Sequence, residues 1–223
     1  MTMQASREMV EFLRAVHARP GGTGALLNLI RASEVRGATD LGAMADVVRD
    51  ERLKLAVTRH AADEARHAYL LVRRLAEMGV SPRRLPPEVD RTEALIARCG
   101  ARDTKRVYQE RQELSDEETA ECLIATFIAE ADAVPKLEAN YAVLAPDPKT
   151  QAVIGSILKD EHRHVTYLRD WIERFDRRLP PGMVAAARER LDAVFAELNL
   201  VFYASFEAYL RSADEACPHV AVA

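Results

Sequence analysis

Two near-identical acidic strings stand inside apolar helical stripes, and no other feature of this chain constrains its fold as much. Asp63-Glu64-Ala65-Arg66-His67 and Asp160-Glu161-His162-Arg163-His164 share the pattern D-E-x-R-H. From 14 Asp, 21 Glu, 26 Arg and 6 His in 223 residues, chance expects roughly 0.004 such strings per chain, against about half a match for E-x-x-H alone. Two copies are not an accident. Residues three apart share one helix face, so each string aims a carboxylate and an imidazole in one direction. Both fall where the periodicity asks for apolar side chains, and charge buried there is costly unless paired or bound to metal.

The periodicity is helical throughout. Val57, His60, Glu64, His67, Leu71 and Met78 follow one stripe, as do Ile154, Ile157, Glu161, His164, Leu168, Trp171 and Phe175. Steps of three and four residues are the spacing of a bundle seam. Further stripes run through Leu27, Ile30, Glu34 and Leu41, and through Leu123, Thr126, Glu130, Ala133 and Leu137. Core helices are expected over about 23–48, 54–78, 116–143 and 150–176. A short amphipathic helix over 4–18 precedes them, and an aromatic helix over about 183–211 follows. Thr23 reads as an N-cap, Gly79 as a helix-ending glycine, and Ser115 with Glu118 as a capping box. The Pro-rich passage from Ser81 opens a long crossover over 80–114, with a short helix over 91–99. Nine Gly and ten Pro, about 9% against a usual ~12%, leave little room for a many-turned β-sandwich. The expected fold is all-α, one domain over 1–223.

Spacing also predicts which helices meet. Glu34 precedes Glu64 by 30 residues, and Glu130 precedes Glu161 by 31. The first midpoint falls at Arg49–Asp50, where the stripe lapses, and the second at Pro146–Asp147, an obvious turn. Residues equidistant from the turn of an antiparallel hairpin lie level. Each hairpin therefore sets one Glu beside one E-x-x-H.

With these residues in place, the chain resembles the ferritin-like di-metal carboxylate proteins. That family takes one Glu from each of two helices and E-x-x-H from each of the other two, all pointing inward, in a bundle with one long crossover. The match covers residues 23–175. The resemblance implies that Glu34, Glu64, His67, Glu130, Glu161 and His164 bind two metal ions and carry the catalysis, with Glu64 and Glu161 as bridges. It also implies that Asp63 and Asp160 orient the histidine of the opposite helix. His60, one turn before Glu64, is a further ligand, a partner of the ligands or a core histidine. Arylamine N-oxygenases carry an extra histidine in this relation, but on the last bundle helix. Glu118 and Glu121 point away from the Glu130 face, His162 points off the seam, and Arg66 and Arg163 are expected to make ion pairs across helices. Tyr69 and Tyr167 lie near the histidines without a predictable orientation. Pro135 is expected to bend its helix beside the site.

Several classes fall away on composition. No apolar stretch reaches the ~18 residues of a membrane span, and the N-terminal residues lack a signal-peptide core. Net charge of −4 gives no basic footprint for nucleic acid, and Arg83-Arg84 reads as a solvated loop. Cys99, Cys122 and Cys217 form no C-x-x-C pair, which fits a reducing cytoplasm. Carboxylate and imidazole donors suit iron or manganese, and the resemblance favours two Fe ions over Mn or a mixed pair. Three readings stand. The first is an oxidase or oxygenase that uses dioxygen on a small organic or lipid-like substrate, served by an electron-donor protein. The second is iron handling or peroxide removal, as in ferritins, bacterioferritins and rubrerythrins. The third is a non-catalytic, metal-stabilised helical protein. The aromatic last helix is also a candidate homodimer face.

Overall fold

The computed structural model describes residues 7–98 and 104–215, and among these every regular element is a helix. In chain order they are α1 (Arg7–Ala18), α2 (Gly22–Val47), α3 (Glu51–Glu77), α4 (Arg91–Arg98), α5 (Thr104–Gln109), α6 (Asp116–Val143), α7 (Pro148–Asp176) and α8 (Met183–Glu215). The start of the expected 4–18 helix, the last residue of the 91–99 helix, and Cys99 and Cys217 lie outside the described residues. Cys122 is buried. No helix among the described residues is long and apolar enough to cross a membrane.

Local chemistry explains most boundaries. Asp50 caps α3 by accepting the N–H groups of Arg52 at 2.9 Å and Leu53 at 3.1 Å, which satisfies donors that a helix start leaves bare. Ser115 and Glu118 close a reciprocal capping box on α6. Asp147 caps α7 through Thr150, with Pro148 in the first turn. The expected Thr23 cap is not formed. Gly21 instead stands at the N-cap of α2, in the left-handed region at φ 71°, and a Cβ on Gly22 would sit 2.0 Å from the Val16 carbonyl oxygen. That close approach leaves Thr23 inside the helix, where its hydroxyl meets His17 Nδ1 at 3.0 Å. The crossover also holds α5, which the stripes did not reveal; at six residues it is too short to show periodicity. α6 continues through Pro135 without ending, although proline removes the bond to the Ala131 carbonyl.

The helices form a bundle of two antiparallel hairpins. α2 packs along α3 and α6 along α7, and the hairpins join through α3 against α7. α2 and α6 do not pack along each other. α1 and α8 each touch both and close that side, with Leu13, Val16, Phe202, Phe206 and Leu210 buried beneath them.

Along all four core helices the interior changes from apolar to polar and back. Leu27, Leu71, Leu75, Leu137, Ile154 and Ile157 build one apolar cluster. Leu41, Val57, Leu123, Ile128, Leu168 and Trp171 belong to the other. Each such side chain stabilises the fold by about 1.5–3 kcal/mol when fully buried. Between the two clusters lies a band of buried acids and histidines.

Candidate metal centre

The polar band collects residues from four helices. α2 supplies Glu34, α6 supplies Glu130, α3 supplies His60, Glu64 and His67, and α7 supplies Glu161 and His164. All are buried except Glu130, whose side chain keeps 14% of its exposure. His67 Nδ1 lies 3.1 Å from Glu34 Oε2, 3.3 Å from Glu161 Oε1 and 3.7 Å from Glu64 Oε1. His164 Nδ1 lies 2.8 Å from Glu161 Oε2 and 3.6 Å from Glu64 Oε1. His60 Nε2 lies 3.2 Å from Glu130 Oε1 and 3.4 Å from Glu64 Oε1.

These atoms fall into two overlapping groups. Glu34, Glu64, His67 and Glu161 form one; His60, Glu64, Glu130, Glu161 and His164 form the other, and within each group the donor atoms lie within 4.8 Å of one another. Glu64 and Glu161 belong to both. The six residues singled out by spacing are thus brought together, and His60 stands with them.

Outside the ring of donors, each histidine is held from the far helix. Asp160 of α7 faces His67 Nε2 at 3.2 Å, and Asp63 of α3 faces His164 Nε2 at 3.5 Å. Such a carboxylate fixes which ring nitrogen keeps its proton, leaving Nδ1 turned inward. Arg66 pairs with Asp160 and lies 3.3 Å from Asp63; Arg163 pairs with Asp160 and lies 3.3 Å from Asp63. The guanidiniums therefore clasp α3 to α7, and the histidine-orienting acids stay ionised. Burial works against Asp63 and Asp160, but Arg66 and His164 hold the first, and His67 and Arg66 the second, below the ordinary carboxylate range.

Inside the ring the electrostatics are unbalanced without a cation. Burial, then repulsion from Glu64, raises Glu34 well above its ordinary value. Burial, then Glu161, raises Glu130. Burial opposes a charge on His60, yet the adjoining Glu130 and Glu64 carboxylates push it up to about 10. His67 is likewise raised against burial by Glu161, Glu34 and Glu64. Glu64 is held low against burial by His60 and His67, and Glu161 by His164 and His67. His60 and His67 thus hold positive charge against the surrounding carboxylates.

A divalent cation fits this donor set better. His60 Nε2 and Glu64 Oε1 are buried, 3.4 Å apart, and make no hydrogen bond. A buried polar atom left so costs about 1–3 kcal/mol, and a shared ion would satisfy both. Imidazole and carboxylate donors together are also a chemistry that suits a metal ion.

Two contributors were not legible in the stripes. Gly37 stands one turn after Glu34, and a Cβ there would lie 2.6 Å from Glu64 Oε2; the missing side chain is the space that the Glu64 carboxylate uses. Tyr167 sits against His60, its hydroxyl 2.7 Å from Nδ1. Its position three residues after His164 was the available signal, but side-chain direction decides the matter. Tyr69, equally near in sequence, is 61% exposed. Glu118 is occupied by the capping box, Glu121 meets Arg190 of α8 at 2.8 Å, and His162 is exposed.

Beside the donors, between α2 and α6 and under α1, α4 and α8, runs a cavity of about 280 Å³. Glu34, Glu64, Glu130 and Glu161 border it, and most of its wall is apolar. Comparison with protein-family models, with curated proteins and with solved structures gave no match.

Proposed function

We propose that the chain is a ferritin-like di-metal carboxylate protein that binds two irons and uses dioxygen to oxidise a small organic or lipid-like molecule. The observation that carries this reading is the pair of overlapping donor groups sharing Glu64 and Glu161. Glu34 and His67 would complete one ion's ligands, and Glu130, His164 and His60 the other's. The order of helices supports it too: two hairpins, a long crossover between them, and a lone Glu on one helix of each hairpin against E-x-x-H on the other. Iron held by these donors would supply the electrons that dioxygen chemistry needs.

The chain's own residues do the rest. Glu64 and Glu161, common to both donor groups, would help hold each of them. Asp63 and Asp160 keep the proton on the outer nitrogen of His164 and His67, so that the inner nitrogen is free to donate a lone pair. Tyr167 sets the ring of His60 by its hydrogen bond to Nδ1. The apolar wall of the cavity keeps bulk water from the carboxylates and receives an apolar molecule beside them. That wall favours an organic substrate over an iron-storage surface, which needs a polar path for aqueous ions.

Metal content and oxygen consumption measured on one anaerobically iron-loaded sample test the proposal. The expected result is about two irons per chain, rapid oxygen uptake and no further accumulation of iron. Continued iron uptake into a growing mineral would favour storage, and failure to bind iron or manganese would leave a helical scaffold. Glu130→Ala should lower metal content below that of the parent chain; full retention would show that α6 supplies a different ligand.

A further inference from the structure

The cavity is apolar along most of its length but not neutral. Along α6, Glu130, Ala133, Lys136, Leu137 and Asn140 line it on one face, and Lys136 lies six residues beyond Glu130, about 9 Å along the helix. Arg91, at the start of α4, lines the same stretch. Its guanidinium stands 4.6 Å from the ring centre of Phe202 and 5.6 Å from that of Phe195 on α8. Both cations share one carboxylate, since Arg91 meets Asp132 Oδ2 at 3.1 Å and Lys136 pairs with the same oxygen. Each of the three side chains keeps only about a fifth of its exposure, 20% for Arg91, 20% for Lys136 and 23% for Asp132. Burial, then the neighbouring Arg91, lowers Lys136 to about 8, with Asp132 pulling the other way. Two largely sequestered cations facing one acid leave a surplus positive charge on an apolar wall.

The cavity's other acids do not offset that charge. Glu34, Glu64, Glu130 and Glu161 belong to the donor groups, and Asp40 is paired with Lys105 at 2.6 Å. Toward Asn140 the lining is polar without an acid, where His17 Nε2 lies 2.9 Å from Asn140 Oδ1. An uncharged molecule would leave the Arg91–Lys136 surplus uncompensated, and a cationic one would add to it.

We propose that this cavity binds a single-chain amphiphilic carboxylate, with its headgroup at Arg91 and Lys136 and its apolar chain lying between α2 and α6 beside the carboxylate cluster. The assignment of this molecule as substrate rests on the dioxygen reading above; its binding does not. Aromatic rings from α8, Phe195, Phe202 and Phe206 among them, flank the head and chain. The surplus charge sets which end of the molecule lies at Arg91 and Lys136.

Calorimetric titration of the full chain with dodecanoate and, separately, with dodecanol tests this without iron or oxygen. Dodecanoate should bind at least ten-fold more tightly, because a charge-assisted contact contributes about 1.5–3 kcal/mol. Lys136→Gln should remove most of that preference while leaving dodecanol binding unchanged. Arg91→Gln should act in the same sense, and circular dichroism of each variant confirms that the helices persist. Equal binding of acid and alcohol, an equal loss of both in Lys136→Gln, or no binding of either would overturn the proposal. Iron binding and oxygen uptake by the same preparation report separately on the metal reading, so either can fail alone.

Discussion

The hairpin α2–α3 and the hairpin α6–α7 carry the same D-E-x-R-H string at the same height, yet they do not furnish the same donors. The strings lie 97 residues apart. Under that shift His60 corresponds to Ile157, which is fully buried in an apolar cluster, and Tyr167 corresponds to Leu70. One donor group therefore holds only what the repeat supplies, Glu34, His67 and the shared Glu64 and Glu161. The other gains His60, reaching from α3 toward Glu130 of α6 and steadied by Tyr167 of α7. Near-duplicate halves thus produce two unequal groups of donors, and the inequality comes from a single added imidazole with its hydroxyl partner.

The inequality can be tested from its centre outward. Glu64→Ala removes a carboxylate common to both groups, and metal content should fall by more than half, measured on the purified chain after iron or manganese loading; a loss of only one ion would mean that Glu64 is not shared. Next in size is the response to pH. His60 is raised to about 10 from an ordinary value of about 6.5, and Glu34 and Glu130 are raised as well. A raised group stabilises the fold fully below its unfolded value and loses that contribution as pH climbs through the folded one. The metal-free chain should therefore melt at progressively lower temperature from about pH 6.5 to 10. Metal competes with those protons, so the gap between loaded and metal-free melting temperatures should widen over the same range.

Smaller effects sharpen the contrast. His60→Ile, which copies the residue at the corresponding place on α7, should weaken the second ion about 10- to 100-fold and leave the first unchanged. Equal weakening of both would show that the histidine serves the whole cluster. Gly37→Ala should act on both through Glu64, lowering affinity while circular dichroism stays constant. Tyr167→Phe should have the smallest consequence, about 1 kcal/mol in binding of the second ion, with stoichiometry retained.

How far the sequence foretold the molecule varies with the range of the interactions. Short-range chemistry was readable: the capping box at Ser115, the turn at Asp147 and the seam positions of Glu34, Glu64, Glu130 and Glu161 follow from spacing alone. Thr23 failed as a cap because a backbone approach between Gly22 and Val16, set by how α1 packs, displaced the helix start. Gly37 was silent, since a glycine within a helical stripe resembles any weak position until the Glu64 carboxylate is seen beside it. Tyr167 depended on a side-chain direction, and the cavity on α1 and α8 lying across α2 and α6. None of these has a local signature. The cation pair at Arg91 and Lys136 joins residues 45 apart in sequence, one on a crossover helix and one on a core helix, and only folding brings them together.

The way the hairpins meet has a mechanical consequence. α3 and α7 are riveted together by Asp63, Arg66, Asp160 and Arg163, like the spine of a book, while α2 and α6 are its boards and α1 with α8 the clasp. Five of the seven inward donors are printed on the spine, and each board carries one. If the clasp loosens and a board swings out, a single terminal carboxylate leaves with it. The shared carboxylates and all three imidazoles stay where they are. Movement of a board and retention of the shared donors on the spine are thus separable in this architecture.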